Sequence, residues 1–480
     1  MSVAGAMMVP HPPLIIPQVG RGQERQIADT VNGFYEAAEL AGEEKPDTVV
    51  VFSPHAVMYA DYFHVSPGTA ARGDFGAFRA PQVVVEAEYD EELAKEITRL
   101  SDGQDFPMGT QGEREKALDH GTMIPLYFIN QHLRDYRVVR IGGSGLSFAE
   151  HYRAGQIVAQ AAENLGRRIF VVGSGDLSHK LKAEGPYGYS PQGPEYDERI
   201  MEVMGAGRFG ELLEFSESFC EQAAECGHRC FTMMAGALDG LKVMPRRLSH
   251  EGPFGVGYGV CTYRVCGRDS KRHFLQIFEE KQQKACIERQ KDEDPYVALA
   301  RRSLEYYVRC GQMLPVGKTL ENLPEILPEN HPVNLPETLR TTRAGVFVSL
   351  HKNGSLRGCI GTISPVCESV AEEIIRNAVS AGIHDPRFPS VREAELPYLV
   401  YSVDVLGEAE PVADMGELDV RRYGVIVTKG RKRGLLLPDL DGVDTVEDQL
   451  RIAKQKAGIR EDDTDVELER FEVIRHGEKA

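Results

Sequence analysis

Two apolar runs, Met1 to Pro10 and Thr48 to Ser53, each stop at a Pro-His pair, Pro10-His11 and Pro54-His55. Such runs read as buried strands, so each histidine lies just past a strand end. Open α/β sheets gather their ligands at the carboxyl ends of strands. Further apolar runs at Gln82 to Ala87, Arg137 to Ile141 and Arg168 to Val172 alternate with helical stretches at Glu24 to Leu40 and Glu91 to Leu100. That alternation predicts an α/β fold of βαβ units with a largely parallel sheet. The glycine-rich Gly252 to Arg264 reads as a closing strand.

The placement of the histidines carries chemistry. Two imidazoles and a carboxylate are the ligand set of non-haem Fe(II) oxygenases, and His11, His55 and Glu225 supply such a set. His179 lies in the loop beyond the strand that contains Phe170 to Val172, and His120 opens an apolar helical stretch. A single loop histidine is more often a hydrogen-bonded structural residue, but three at equivalent strand ends converge on one edge if their strands are parallel. Proline on both sides stiffens His11. Glu225 is weaker alone, because a carboxylate just ahead of a helix is stabilised by the dipole with no other role. That helix is expected to run to about Leu241.

At 480 residues the chain is too long for one ordinary core, so two or three domains are expected. A net charge of −18 disfavours nucleic acid and anionic membrane surfaces. The sequence has no transmembrane-length apolar run and no signal-peptide pattern, so a cytoplasmic protein is expected. Nine scattered cysteines without a CxxC pair read as reduced thiols and signal no zinc module. Gly142-Gly143-Ser144-Gly145 lacks a P-loop lysine and reads as a tight turn.

The chain divides at a charged stretch. Residues 1–266 form the first domain, 267–293 a charged helical connector and 294–478 a second domain. In the latter, Tyr296 to Cys310 has helical periodicity and a proline-dotted loop spans Leu314 to Leu339. Strands at Ala344 to Leu350 and Leu356 to Ile363 flank Asn353-Gly354, a strong hairpin signal. Strands at Tyr398 to Leu406 and Gly424 to Thr428, with helices at Val370 to Ala381 and Thr445 to Ala457, predict an antiparallel α+β domain.

The motifs PHPP, SPHA, LDHGTMIP, GSGDLSH, ECG and EGPFGVGYGV, in that order, resemble the LigB-like family of class III extradiol ring-cleavage dioxygenases and the related Memo-like proteins. The resemblance covers about residues 1–266. It implies an α/β core with Fe(II) on His11, His55 and Glu225, His179 as acid/base, and His120 orienting substrate and oxygen. Memo-like proteins place a cysteine at the third position, which makes Cys226 the alternative ligand. The same donors suit Zn²⁺ activating water, so a hydrolase stays open.

Over about residues 294–478 the blocks LRGCIGT, HDPRF, YGVIV and GLLLP resemble the AMMECR1 domain family, which carries no settled activity. Fused chains of this kind are associated with a radical SAM protein in the so-called AmmeMemoRadiSam system, and this chain resembles its A component. Cys359 follows Arg357 on the returning arm of the hairpin, where a guanidinium could activate a thiol. A small buried strand residue is the commoner fate of cysteine. His384 and Asp385 are further candidates near it.

The leading expectation is an Fe(II)-dependent extradiol dioxygenase-like protein acting on a catechol-like or related small molecule, with a radical SAM partner and a homo-oligomer admitted. The runner-up is a Memo-like metal-binding or assembly component without ring cleavage.

Overall fold

In the computed structural model, residues 2–477 are described apart from 115–116, 292, 316–335, 353 and 441. The chain forms two units, Met1–Glu280 and Lys281–Ala480.

The first unit is built on six strands: β1 (Val3–Val9), β2 (Thr48–Ser53), β3 (Arg137–Gly142), β4 (Ile169–Ser174), β5 (Leu241–Glu251) and β6 (Tyr258–Arg268). Their order across the sheet is β3-β2-β4-β1-β6-β5. The first four neighbours are parallel, with Val49 opposite both Val138 and Phe170, and Met7 opposite Val172. β6 runs antiparallel to β1, and β5 antiparallel to β6.

The helices of this unit are α1 (Ala28–Glu44), α2 (Glu91–Gly103), α3 (His120–Ile129), α4 (Phe148–Asn164), α5 (Gln192–Ala206) and α6 (His228–Ala237). Successive side chains of a strand point to opposite faces, and here both faces are covered. Ala6, Met8, Val50, Phe52 and Val171 pack with Leu93, Tyr152, Ile200 and Phe231 on one side. Met7, Val9, Val51 and Val172 pack with Phe34, Ala38, Ile124 and Phe128 on the other. Double coverage explains why β1 and β2 are buried at every position rather than at alternate ones.

Three expectations are corrected. Gln82 to Ala87 belongs to a separate two-stranded antiparallel sheet, Ala80–Glu88 against Ala70–Phe75. Its burial alternates, with Val83, Val85 and Ala87 inside and their neighbours exposed, as a one-sided strand requires. The helix after Glu225 ends at Ala237, not near Leu241. Gly240, with a φ of +67°, turns the chain into β5, an edge strand. The closing strand begins at Tyr258 rather than Gly252 and runs on to Arg268.

The charged connector is helical as α7 (Phe274–Lys291), whose Leu275 and Phe278 are buried in the first core. No helix among the described residues is long and apolar enough to cross a membrane. All nine cysteines are free.

The second unit contains α8 (Pro295–Cys310), β7 (Val346–Lys352), β8 (Ser355–Gly361), α9 (Val370–Ile383), β9 (Leu399–Leu406), β10 (Glu410–Pro411), β11 (Gly424–Lys429), β12 (Lys432–Leu436), α10 (Val446–Ala457), β13 (Glu467–Phe471) and β14 (Val473–His476). They make two antiparallel sheets, β8-β7-β9-β14 and β10-β13-β11-β12. β7 and β8 form the expected hairpin, with Gly354 at a φ of +81°. Asn353 lies outside the described residues, as does 316–335 of the proline-dotted loop.

Two glycines of the LRGCIGT block have steric reasons. A Cβ on Gly358 would stand 2.2 Å from the Ala381 carbonyl of α9, and one on Gly361 would stand 2.2 Å from the Phe347 ring.

Candidate metal centre

Strand order assembles the site. β4 lies between β1 and β2, so the loops after all three open at the same sheet edge. His11 follows β1, His55 follows β2, and the segment from Ser174 to His179 follows β4. His120 enters from the first turn of α3, whose N-cap Asp119 accepts the Thr122 amide.

The contacts show which way His11 is turned. Its backbone amide donates to Asp176 Oδ1 at 2.8 Å, and its Nδ1 lies 3.0 Å from Ser174 Oγ. The Ser174 hydroxyl is already donating to the Gly121 carbonyl at 2.6 Å. A hydroxyl has one proton to give, so His11 Nδ1 is the donor to serine and Nε2 carries the lone pair. That Nε2 lies 3.0 Å from His55 Nε2 and 3.6 Å from Cys226 Sγ. At these separations the two nitrogens share either a proton or a cation. The ligand atoms of His11, His55 and Cys226 all fall within 4.8 Å of one another. Metal–nitrogen and metal–sulfur bonds of about 2.0–2.3 Å set donor atoms roughly 3.0–3.6 Å apart, so the three suit one ion.

Electrostatics keep the donors neutral. Burial, followed by His55, His120 and His179, lowers His11 well below its ordinary value. Burial likewise lowers His55, His179 and His120, the last to about 4. Burial raises the Cys226 thiol, with Asp176 and Glu225 adding to it. Uncharged imidazoles are the form that binds metal, and a bound cation is what would draw the proton from the thiol.

The rim is open and partly aromatic. His55 is exposed and His120 half-buried, with their rings 4.1 Å apart. Phe78 stands edge-on to His120, and Tyr187 edge-on to His179. His179 Nδ1 donates to the Ala224 carbonyl, which leaves its Nε2 free to accept a proton.

Glu225 is not with the histidines. Its Oε2 accepts the His228 amide at 2.5 Å ahead of α6, and its side chain bonds Tyr196. Burial raises its carboxyl to about 7. Ala224, with a φ of +52°, reverses the chain so that Cys226 faces the site and Glu225 the interior. The expected carboxylate ligand is therefore replaced by the neighbouring cysteine in the cluster.

Sequence reasoning also missed the groups that hold the imidazoles. Ser174 and Asp176 both contact His11, and their place in GSGD at a strand end was the available signal. Asp119 accepts from Ser53 Oγ at 2.5 Å and from the fully buried Arg140 at 3.3 Å. Nothing in the one-dimensional pattern announced Arg140, which sits between Val139 and Ile141 in the buried part of its strand.

In the second unit the guanidinium of Arg357, which could have activated Cys359, is engaged elsewhere. It pairs with Glu395 at 3.0 Å. Asp385 meets Cys359 instead, through the Cys359 amide at 2.9 Å, while His384 caps the end of α9.

The model of the catalytic LigB subunit of aromatic ring-opening dioxygenase matches residues 5–261, more than half of the chain. The chain belongs to that family. Its LigB-type unit is followed by a match to the AMMECR1 model over residues 297–476. Protein CA_C1420 of Clostridium acetobutylicum is 41% identical over 485 residues, covering 100% of both chains. A protein of Thermotoga maritima is 52% identical over 185 residues, covering 38% of this chain and 98% of its own. The crystal structure of uncharacterized protein PH0010 from Pyrococcus horikoshii is 31% identical with a TM-score of 0.33, covering 38% of this chain and 88% of that one. A LigB-type core with a cluster able to hold a metal, joined to an AMMECR1 domain, is what sequence and structure together establish.

Proposed function

We propose that the LigB-type unit holds one metal ion on His11, His55 and Cys226 and acts with it on a small molecule bound beside His120 and His179. The observation that carries this reading is the meeting of two neutral nitrogens and a thiol sulfur at the open edge of the sheet. Fe(II) is the ion the family favours, and zinc suits the same donors. When bound, the metal supplies Lewis-acid or redox chemistry.

The chain's own residues supply the rest. Ser174 and Asp176 fix His11, and the Asp119 cap fixes the start of α3 and so His120. His179, neutral near pH 7 with Nε2 free, takes a proton from a substrate hydroxyl and returns it later. Phe78 and Tyr187 favour a planar, catechol-like partner at the rim.

A second reading is favoured by Cys226 itself. A thiol among the ligands is open to oxidation, so oxygen chemistry there would endanger its own site. A Memo-like component that binds metal, works with an oxygen-sensitive radical SAM partner and opens no ring fits that residue.

Metal analysis after anaerobic purification tests both. The first reading expects about one iron per chain, retained in Glu225→Gln and lost in Cys226→Ala. Zinc in place of iron favours a hydrolase. Retention in Cys226→Ala with loss in Glu225→Gln would sink the ligand assignment. A catechol panel under air then separates the readings, since ring-fission product appears only under the first.

A further inference from the structure

The loop that carries His179 is tied down through Ser178, and one of the ties is a buried charge with no part in the metal cluster. The Ser178 hydroxyl donates to the Ala223 carbonyl at 2.8 Å, and the Ser178 carbonyl accepts the Gly257 amide at 2.8 Å. Its own amide donates to Asp197 Oδ1 at 2.8 Å. Asp197 comes from α5 and is only 2% exposed. A Cβ on Gly257 would stand 1.9 Å from Asp197 Oδ2, so the carboxylate fits there because that residue is glycine.

Behind Asp197 stands His250 of the edge strand β5. Its Nε2 lies 3.3 Å from Asp197 Oδ2, and its Nδ1 lies 3.3 Å from the Arg247 guanidinium. A guanidinium can only donate. Nδ1 therefore accepts, and the proton of the neutral ring sits on Nε2, aimed at the carboxylate. Burial raises the Asp197 carboxyl, while His250 and the Ser178 amide hold it down. Asp176 and Tyr196 also feel its charge.

Asp197 is thus one peptide group away from His179. The other groups around that ring are the Ala224 carbonyl on Nδ1, the Tyr187 ring, and His11 and His55 across the site. Burial lowers His179, and the Ala224 carbonyl and Asp197 oppose that. A half-buried imidazole that takes a proton becomes a cation, and a fixed carboxylate nearby offsets the new charge.

We propose that Asp197 is a positioning residue for His179: it fixes the loop through the Ser178 amide and supplies the negative charge that offsets the imidazolium formed when His179 takes a substrate proton, with His250 holding the carboxylate in place. Asp197 has this role only if His179 is the acid/base of the proposed function. In that step the substrate O–H bond breaks, its electron pair stays on oxygen, and an N–H bond forms at His179 Nε2. Asp197 stays ionised throughout, and the proton later returns from the same nitrogen.

Diethyl pyrocarbonate acylates neutral imidazole and not imidazolium. Its rate at His179 against pH, read by peptide mass spectrometry on the full-length chain, therefore gives the proton affinity of that ring, and the exposed His132 in the same sample is the reference. Asp197→Asn keeps an oxygen for the Ser178 amide and removes the charge. It should lower the proton affinity of His179 by roughly three- to tenfold, moving the midpoint to lower pH, and leave His132 unchanged. A merely structural group would not move the midpoint in a chain that stays folded. If Asp197→Asn loses its near-UV circular dichroism, the double variant Asp197→Asn with His250→Gln decides, because a glutamine amide can turn either its donor or its acceptor to the asparagine. An unmoved His179 midpoint, an equal movement at His132, or a chain that folds in neither form overturns the proposal. Ring fission with an unmoved midpoint would sink the role of Asp197 and not the function; a moved midpoint with no ring fission in the catechol panel would sink the function and not the coupling.

Discussion

One hydroxyl proton sets the direction of the metal centre. Because Ser174 gives its proton to the Gly121 carbonyl, it can only accept from His11 Nδ1, and the lone pair of His11 is left on Nε2. Partners of this kind, one bond removed from a metal, typically affect affinity ten- to a hundredfold. Ser174→Ala should therefore weaken metal binding by about tenfold or more in a chelator competition, while the fold persists. Unchanged affinity would mean that the proline-flanked backbone of His11 fixes the ring without help. His11, His55 and His179 were legible from sequence because each follows an apolar run that has to be a strand. Glu225 and Cys226 were not separable, because neighbours in the chain differ only in which way a left-handed Ala224 turns them.

Elements are held together by a few buried charges, and Glu395 is the clearest case. It lies in the 3-10 segment Glu393–Tyr398 and binds Lys352 of β7 at 3.0 Å and Arg357 of β8 at 3.0 Å, tying the hairpin arms to the segment between α9 and β9. Burial would raise its carboxyl, but Arg357 and then Lys352 hold it at about 2, below the ordinary 4.5. A depressed carboxylate stabilises fully above its unfolded value and loses that contribution as pH falls through its folded value. Wild type should exceed Glu395→Gln by about 1–2 kcal/mol near pH 7, after allowance for solvent screening. That margin should shrink between pH 4.5 and 2 in urea titrations; a margin independent of pH would count against the ion pair. Sequence alone put Arg357 just before Cys359 on the returning arm of the hairpin, where a contact between them was one reading. It could not show a carboxylate 38 residues on taking the guanidinium first. Strands covered on both faces were read nearly to the residue, whereas β5 was missed because a half-exposed edge strand after a helix has no continuous apolar signal.

At the scale of the whole chain, each unit carries its own core. The first has two apolar clusters, one on each face of its sheet, and α7 contributes Leu275 and Phe278 to one of them. The second is centred on Leu304, Val348, Ile374 and Val403 between β7, β9 and their covering helices, with a smaller cluster around Phe347, Ile426 and Phe471. The change to Lys, Arg, Glu and Gln after Arg268 marked the region of the boundary, but not that Leu275 and Phe278 within it pack into the first core, nor that the units divide at Glu280 inside α7. A domain with its own core folds alone when no packed element is cut. The units divide at Glu280, inside α7, so a cut that keeps this helix whole falls after Lys291. It must also precede Glu293, which binds Arg301 at 2.8 Å and so belongs with α8. Chains of residues 1–291 and 293–480, made separately, should each give near-UV circular dichroism and a single cooperative thermal transition. A fragment that shows neither would mean that its core depends on the other half. The two halves of the chain would then have to be studied as one system rather than as two.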